Sequence, residues 1–315
     1  MEKMHTDMQD LSAPLREIKK TFDELIIPHR TSLWRYCLHM TGSPWDAEDL
    51  VQETLLKSFT SLTQLWQPVH PKGFLFRIAT NTWIDHCRKR KGKIESLDTT
   101  EEPSYIEKEY ELEINEAMQH LVLHLAPRQR VVFLLAEVFQ FKLQEISEMI
   151  GVTEGAVKSL LKRARVKLQQ VQLEMATEDR KPEISKEHQI IIDAFIDCFN
   201  RRDPSGIADL LDDHACTDIV HVAQEYGKQV VRDHSLADWA RDPVEMRAEL
   251  HFLWGHPAII QIAAQDDGEY VYNLSLLKFD ENKITGMKDY YFCPELLAEA
   301  ANELKLGAPV RKYTL

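Results

Sequence analysis

Apolar residues recur at spacings of three and four through most of the first 170 residues, which predicts a mainly helical front half. Ser43 is suited to cap a helix over Pro44–Phe59, because proline fits the first helical position and acidic residues follow it. Pro68 and Pro71 interrupt the pattern, and a second helix is predicted over Lys72–Lys91. We therefore interpret residues 15–91 as helical apart from such breaks.

A helix-turn-helix is predicted further along. A helix that starts at Pro127 and continues over Arg128–Phe139 comes first. It is followed by a short helix over Leu143–Ile150, a turn at Gly151-Val152-Thr153, and a longer helix from Glu154 to about Gln170. Thr153 can cap the longer helix. The apolar positions of the two helices around the turn fall where they would pack against each other.

The spacing of apolar residues along the chain changes after residue 183. An amphipathic helix over Ile190–Asn200 and a short helix near residues 207–211 lead into segments rich in strand-forming residues, which predicts an α+β domain. The predicted strands are Thr217–Val222, Glu249–Trp254, Ala258–Ala263, Tyr270–Phe279 and Lys283–Phe292, and a closing helix is predicted over Pro294–Leu304.

The net charge of −13 is unevenly distributed along the chain. Residues 183–315 carry 24 acids and 13 bases, whereas residues 1–182 carry 27 acids and 25 bases. Within the front half, bases concentrate in His70–Lys93 and in Gly155–Leu173, with an acidic stretch over Glu95–Glu113 between them. This arrangement indicates two anion-binding faces joined by a solvated linker.

Cysteine usage and hydropathy narrow the class of protein. The five cysteines are irregularly spaced without a CxxC pair, which favours reduced thiols over a disulfide framework or a zinc site. Apolar runs such as Val131–Ala136 are too short to span a bilayer, and the first residues lack a signal-peptide core. We expect a cytoplasmic protein that uses no membrane, metal or cofactor.

The helix over Lys72–Lys91 mixes aromatic and basic residues. Arginine and lysine neutralise phosphates, and aromatic rings stack on unpaired bases, so such a helix can hold a melted DNA strand. An equally open interpretation is that its aromatic residues belong to the core and its terminal basic residues form a solvated helix end.

The helix after Thr153 carries lysines at Lys158 and Lys162 on its outer face, a pattern that fits the major groove. Here the alternative is an ordinary helical hairpin with a basic surface.

Together these segments resemble bacterial RNA polymerase sigma factors of the extracytoplasmic-function type. Asp46–Thr54 resembles the polymerase-binding helix of region 2, Phe74–Arg90 resembles the helix that melts and reads the −10 element, and Leu125–Arg130 with Glu145–Ser159 resembles region 4, which binds the −35 element. The resemblance implies core RNA polymerase and promoter DNA as partners. It assigns polymerase binding to Asp46, Asp49, Leu50, Gln52 and Glu53, −10 DNA to Arg77, Asn81, Trp83, Asp85, Arg88, Lys89 and Arg90, and −35 DNA to Thr153, Glu154, Gly155, Lys158, Ser159, Lys162, Arg163 and Arg165.

The third segment resembles, more weakly, the cone-shaped α+β SnoaL-like fold found after some sigma factors. The resemblance rests on the helix end at Asn200–Asp203, the Asp209-Leu210-Leu211 segment and the strand ending in Tyr290-Tyr291-Phe292. That fold encloses an apolar pocket and hosts both enzymes and regulatory modules, so it does not decide function. The candidate pocket residues, for a small ligand of unknown identity, are His221, His251, Trp254, Tyr272, Asp289 and Tyr291.

An enzymatic pocket would require an aspartate or histidine as base and a tyrosine or carboxylate to hold an oxyanion. No pair of these residues has a spacing that demands a mechanism, so we favour a regulatory domain that contacts the sigma regions or the polymerase.

The expected architecture is multidomain: two all-α sigma domains, a region 2 bundle and a region 4 helix-turn-helix, followed by the α+β domain. The expected boundaries are 15–92 for region 2, 93–113 for an acidic linker, 114–172 for region 4, 173–187 for a second linker and 188–307 for the SnoaL-like domain.

The sequence predicts a non-enzymatic sigma factor that binds polymerase, recognises −35 and −10 elements and melts the latter. Two other functions stay open. One is a stand-alone helix-turn-helix regulator, which would leave the acidic and aromatic-basic helices without a role. The other is an enzyme in the C-terminal domain with DNA-binding modules attached.

Overall fold

The computed structural model describes residues 8–62, 70–91, 122–170, 184–265, 268–280 and 282–308. The chain forms two compact units, Met1–Ala176 and Thr177–Leu315, here called the N-terminal and C-terminal units. The two predicted sigma domains both fall in the N-terminal unit, and the predicted linker 93–113 lies outside the described residues. Among the described helices, none has both the length and the apolar character needed to cross a membrane.

The first half of the N-terminal unit consists of three helices: α1 (Met8–Thr41), α2 (Pro44–Ser61) and α3 (Pro71–Lys91). The predicted start of α2 is confirmed, because the Ser43 side chain accepts a hydrogen bond from the Asp46 amide at 3.5 Å and Pro44 is the first helical residue. α1 and α2 are separated only by a bend at Gly42, where φ is +79°.

The second half contains α4 (Pro127–Phe133), α5 (Leu143–Ile150) and α6 (Glu154–Gln170). The predicted helix-turn-helix is present: Gly151 adopts φ +66° at the end of α5, and Thr153 Oγ1 accepts a hydrogen bond from the Ala156 amide at 3.2 Å. The predicted helix over Arg128–Phe139 departs from α geometry at its end, where Leu134–Val138 forms a π turn. Hydrophobic periodicity does not distinguish these two hydrogen-bond patterns over a single turn.

One aromatic cluster joins the two halves of the N-terminal unit. Phe76 of α3 stacks on Tyr36 of α1 with ring centroids 4.8 Å apart, and it meets Phe139 edge-on at 5.1 Å. Phe139 also lies 5.3 Å from Tyr36, and Phe141 lies 5.2 Å from Phe76. Helices α1–α3 and α4–α6 therefore share a single hydrophobic core.

The C-terminal unit has the predicted α+β architecture. Its elements are α7 (Lys186–Asn200), α8 (Pro204–Leu210), β1 (Leu211–Ile219), β2 (Ala223–Tyr226), α9 (Lys228–Val231), α10 (Ala237–Arg241), β3 (Met246–Leu253), β4 (His256–Gln265), β5 (Gly268–Asp280), β6 (Lys283–Asp289) and α11 (Pro294–Leu304). A π turn over Arg232–Leu236 links α9 to α10.

The six strands form one sheet in the order β2-β1-β6-β5-β4-β3. Only β1 and β6 pair in parallel; the remaining neighbours are antiparallel. α7 is fixed against the sheet by Asn200, whose side chain accepts from the Ala248 amide at 2.7 Å and donates to its carbonyl at 3.2 Å. Helices pack on one face of the sheet, and a cavity lies between the two layers.

The strand predictions differ from the structure at two places. β6 ends at Asp289, so the last three residues of the predicted strand Lys283–Phe292 lie beyond it. The other differences lie at the β2 edge of the sheet. β1 begins at Leu211 rather than Thr217, and both β2 and the helical segment Lys228–Arg241 are absent from the prediction. β2 has only four residues and is largely exposed, so it lacks the apolar alternation by which strands are recognised.

Candidate nucleic-acid interface and C-terminal cavity

Helix α2 presents an acidic stripe to solvent. Asp46 and Asp49 are exposed and lie three residues apart, and Gln52 and Glu53 continue the same face as half-buried residues. The Glu53 carboxylate lies 2.8 Å from Lys57 Nζ and 3.0 Å from His86 Nε2. The stripe is therefore negative and is partly neutralised at its end.

Leu50, assigned to the same surface by the resemblance, instead lies in the core with 3% of its surface exposed. Its burial follows from the helical period, which places it opposite the acidic stripe beside Ala47 and Val51. The same buried side contains an ion pair that sequence reasoning missed: Arg30 Nη2 of α1 lies 2.9 Å from Glu48 Oε1. No spacing rule links positions 18 residues apart on two helices.

Helix α3 carries a mixed polar stripe along its outer face. The first three of its exposed residues lie four residues apart, and the last two lie three and four residues beyond the third, so all five share one side of the helix. The Asp85 carboxylate lies 3.1 Å from Arg88 Nη1, which ties two of them together. The exposed members are Arg77, Asn81, Asp85, Arg88 and Lys89, whereas the side chain of Arg90 lies outside the described residues.

Trp83 belongs to the opposite, buried side of α3. Only 7% of its surface is exposed, and the guanidinium of Arg130 lies 5.2 Å from its ring centroid. Arg130 also donates to the carbonyl oxygens of Met40 and Leu123. In this conformation Trp83 is packed between helices and offers no face to a nucleobase.

Helix α6 projects the second basic surface. Its inner positions Val157, Leu161 and Ala164 are buried in the shared core. Its N-terminal end, which in a helix-turn-helix approaches base edges, is exposed. Glu154, Gly155, Lys158, Arg163 and Arg165 are exposed, Thr153 is exposed and caps the helix, and Ser159 and Lys162 are half-buried.

Arg165 is held by an ion pair within the unit. Its Nη2 lies 2.6 Å from Glu137 Oε1, in the π turn that precedes the helix-turn-helix. A phosphate contact by Arg165 would have to compete with this carboxylate, whereas Lys158 extends from the exposed side of the helix. The two residues therefore differ in how readily they can meet DNA.

A cavity of about 320 Å³ lies between the helices and the sheet of the C-terminal unit. Of the described residues that line it, ten are apolar or aromatic, and none is lysine, arginine or histidine. The lining comprises Phe195, Phe199, Ile207, Ile219, Ser235, Leu236, Asp238, Trp239, Asp242, Gln261, Tyr272, Asn273, Met287, Asp289, Tyr291 and Phe292. Its volume lies in the range of small-molecule sites.

Asp289 lines the cavity and accepts hydrogen bonds from two neighbouring side chains. Its Oδ1 accepts hydrogen bonds from Ser275 Oγ at 2.5 Å and Asn273 Nδ2 at 3.1 Å, and Gln261 Nε2 donates to Ser275 Oγ at 3.3 Å. Burial raises the pKa of Asp289 to about 6, opposed by those two hydrogen bonds and assisted by the negative charges of Glu225 and Asp218. Among the described residues, no donor reaches Oδ2 of Asp289.

A second polar group lines the cavity at Tyr272. The Tyr272 hydroxyl donates to Asp242 Oδ2 at 2.5 Å and lies 3.4 Å from the Tyr291 hydroxyl. Burial, followed by these hydrogen bonds, raises the pKa of Tyr272 well above its usual value. Tyr272 is therefore a neutral phenol near physiological pH.

Three of the six predicted pocket residues line the cavity: Tyr272, Asp289 and Tyr291. The other three do not line it. His221 occupies the turn after β1, and Trp254 occupies the β3–β4 turn. His251 lies on the face of β3 that carries Glu249, whose Oε2 is 3.1 Å from the histidine Nε2. Alternation along β3 places this face opposite Ala248, which packs against the helices.

The aromatic wall of the cavity was not predicted. Phe199 of α7 and Trp239 of α10 stack with ring centroids 4.5 Å apart, although they lie 40 residues apart in sequence. The burial of Phe195 and Phe199 could be predicted, because the helical period of α7 places both on its apolar face. Nothing in the sequence pairs that face with the unpredicted helix α10.

Comparison with known proteins follows the division of the chain. Residues 25–93 match the family model described as Sigma-70 region 2, and residues 115–168 match Sigma-70 region 4. The extracytoplasmic-function RNA polymerase sigma factor SigG of Mycobacterium tuberculosis is 32% identical over 226 residues, which cover 62% of this chain and 60% of that protein. SigL of the same species is 30% identical over 139 residues, covering 42% of this chain and 78% of SigL.

The chain thus spans about 60% of the length of the first curated relatives it matches. Among solved structures, the sigma factor SigJ of Mycobacterium tuberculosis has a TM-score of 0.32 at 17% identity, covering 86% of this chain and 95% of SigJ. An NTF2-like protein of unknown function from Mesorhizobium loti has a TM-score of 0.28 at 20% identity, covering 35% of this chain and 94% of that protein. Both structural likenesses are distant.

Proposed function

Because this chain belongs to the extracytoplasmic-function family of RNA polymerase sigma factors, we propose that it binds core RNA polymerase and directs it to specific promoters. In this role the chain makes and breaks no covalent bond itself. Its contribution is to position the polymerase, to recognise two promoter elements and to stabilise the melted −10 strand.

The observation that carries the proposal is the separation of three polar surfaces on one helical core. The acidic stripe on α2 begins at Asp46, the mixed stripe on α3 begins at Arg77, and the basic surface of α6 is centred on Lys158. Each surface faces away from the apolar positions of its own helix. One compact unit can thus present distinct surfaces to a protein and to DNA.

The surface of α6 suits the −35 element. The N-terminal end of a recognition helix reaches base edges in the major groove, while lysines farther along neutralise phosphates. Thr153 and Glu154 occupy that end, and Lys158 lies one turn later. We assign these residues, with Gly155, Ser159, Lys162, Arg163 and Arg165, to −35 recognition.

The outer stripe of α3 suits the −10 element. Arg77, Arg88 and Lys89 supply positive charge, and Asn81 supplies an amide that can read a base edge. Trp83 could stack on an unpaired base only if it left the packing beneath Arg130. The assignment of Trp83 to DNA therefore implies that α3 and α4 separate in the initiation complex.

We assign the acidic stripe of α2 to core polymerase, with Asp46, Asp49, Gln52 and Glu53 as contacts. Leu50 anchors the helix in the core on its opposite side. The C-terminal domain is assigned a regulatory role. Residues 183–315 carry 24 acids against 13 bases. This net negative charge repels DNA and can compete with DNA for the basic helices.

Run-off transcription with purified core polymerase and a genomic template library tests the proposal. The full chain, residues 1–182 and a Lys158→Ala/Lys162→Ala variant are compared, with Lys20→Ala on α1 as a matched control for the loss of an exposed lysine. We expect specific transcripts from the full chain or from residues 1–182, unchanged transcripts from Lys20→Ala, and loss of them from the double variant. The absence of specific initiation by both the full chain and residues 1–182 would contradict the sigma-factor assignment.

A further inference from the structure

The cavity of the C-terminal unit combines aromatic side chains with carboxylates, and among the described residues its lining contains no basic side chain. Asp289 and Asp242 both line it, together with the aromatic side chains of Phe199, Trp239 and Tyr291. Asp238 also lines it, but its side chain is 80% exposed and lies 3.4 Å from Arg241, so its charge is largely solvated. The enclosed charge of the cavity is therefore negative.

The carboxylate of Asp289 is incompletely satisfied. Its two hydrogen-bond donors, Ser275 and Asn273, are neutral and both reach Oδ1. The acidic residues Asp218 of β1 and Glu225 of β2 add repulsion from the neighbouring strands. A carboxylate in such surroundings is costly unless a cation pairs with it, and the lining residues that the structure describes supply none.

The ring faces are suited to the same class of ligand. Cations are attracted to the negative faces of aromatic rings, and sites that recognise quaternary ammonium groups are commonly built from several such rings. The lining contains six aromatic residues: Phe195, Phe199, Trp239, Tyr272, Tyr291 and Phe292. An anion would find no counter-charge here, and a neutral apolar molecule would leave the Asp289 carboxylate unpaired.

We propose that the cavity binds an organic cation, a protonated amine or quaternary ammonium group on an apolar body, with Asp289 as its counter-ion. The apolar body occupies the aromatic wall, and the cationic group lies against the open oxygen of Asp289. The Tyr272 hydroxyl donates its proton to Asp242, so its oxygen can accept a hydrogen bond from a polar substituent of the ligand. The site lies wholly within the C-terminal unit, so it does not depend on the proposed role in transcription.

Titration calorimetry on the full chain at pH 7.5 tests this with three probes of similar size. Benzyltrimethylammonium is the cation, 2-phenylethanol the neutral compound and 3-phenylpropionate the anion. We expect the cation to bind at least tenfold more tightly than the alcohol, and the anion to bind most weakly. Equal affinities, a preference for the alcohol or the anion, or no binding of any probe would overturn the proposal.

Substitutions and changes of pH distinguish the contribution of the Asp289 carboxylate to binding from that of the aromatic residues. Asp289→Asn should weaken binding of benzyltrimethylammonium at least tenfold and leave that of 2-phenylethanol unchanged. Asp213→Asn, which removes the same charge from a side chain that is 84% exposed, should change neither. Unaltered cation binding by a folded Asp289→Asn variant would exclude Asp289 as the counter-ion.

The unsubstituted chain provides a test that does not require a variant to fold. With the pKa of Asp289 at about 6, lowering the pH from 7.5 to 5 protonates most of the carboxylate. The affinity for benzyltrimethylammonium, whose own charge does not titrate, should fall about tenfold over that interval. An affinity for this cation that is independent of pH would overturn the assignment.

Discussion

The guanidinium of Arg130 lies 5.2 Å from the centroid of the Trp83 ring, so a charged residue of region 4 covers an aromatic residue of region 2. The same guanidinium donates to the carbonyl oxygens of Met40 and Leu123. It therefore satisfies two backbone acceptors and desolvates a ring at the junction of the two sigma regions.

Replacing this residue should destabilise the N-terminal unit. Arg130→Ala removes two charge-assisted hydrogen bonds and the cation–π contact, and we expect the free energy of unfolding to fall by about 2–4 kcal/mol. Urea unfolding of the full chain measures the change. The neighbouring Arg128 is exposed, and Arg128→Ala should alter the same quantity by less than about 0.5 kcal/mol. Equal effects of the two substitutions would show that the Arg130 contacts contribute little.

Removing two lysines from α6 should change the salt dependence of promoter binding. Lys158→Ala/Lys162→Ala should weaken binding and reduce the slope of log K against log salt by about one unit for each phosphate that is no longer neutralised. Binding of the chain with core polymerase to a cognate promoter, measured at several salt concentrations, gives the slope. An unchanged slope would mean that neither lysine contacts DNA.

Reversing one charge on α2 should impair assembly with polymerase. Asp49 is exposed, so Asp49→Arg should leave the melting temperature nearly unchanged while reducing the amount of chain that co-elutes with core enzyme in gel filtration. Glu24→Arg reverses an exposed acid on α1 and serves as the matched control. Normal assembly of Asp49→Arg would place the docking surface elsewhere.

His39 should make the stability of the N-terminal unit dependent on pH. Burial lowers the pKa of His39 to about 4, and the positive charge of Arg35 adds to the effect. Because the unfolded chain takes up this proton near pH 6.5 and the folded chain near pH 4, stability is complete above pH 6.5 and declines as the pH falls between these values.

Between pH 7 and pH 5 this single group should reduce the free energy of unfolding by up to about 2 kcal/mol. The difference between the unsubstituted chain and His39→Gln, unfolded in urea at both pH values, isolates the contribution. His124 is exposed, and His124→Gln should retain the original pH dependence. If His39→Gln also kept the original pH dependence of the free energy of unfolding, His39 would not be the group responsible for it.

Local features of the fold could be predicted from the sequence because short-range chemistry determines them. Ser43 and Thr153 cap the helices that follow them, and the left-handed backbone at Gly151 marks the turn between α5 and α6. The exposed stripe of α6 also follows from helical period and residue type alone. These features depend on neighbours within about one turn of helix.

Features that join distant parts of the chain could not be predicted. Period-two alternation shows that His251 shares a strand face with Glu249, but it does not say which face meets the helices. The contact of Arg130 with Trp83 and the stacking of Phe199 on Trp239 each join elements whose packing is set by the whole core. A residue type such as tryptophan in a basic helix is compatible with both stacking on DNA and burial.

The aromatic cluster of Tyr36, Phe76, Phe139 and Phe141 has a consequence for how this molecule can be dissected. Cutting the chain between α3 and α4 would leave each fragment with uncovered rings that normally shield one another from water. Such fragments would be prone to self-association, and their behaviour would reflect apolar surfaces that are covered where the two halves pack together.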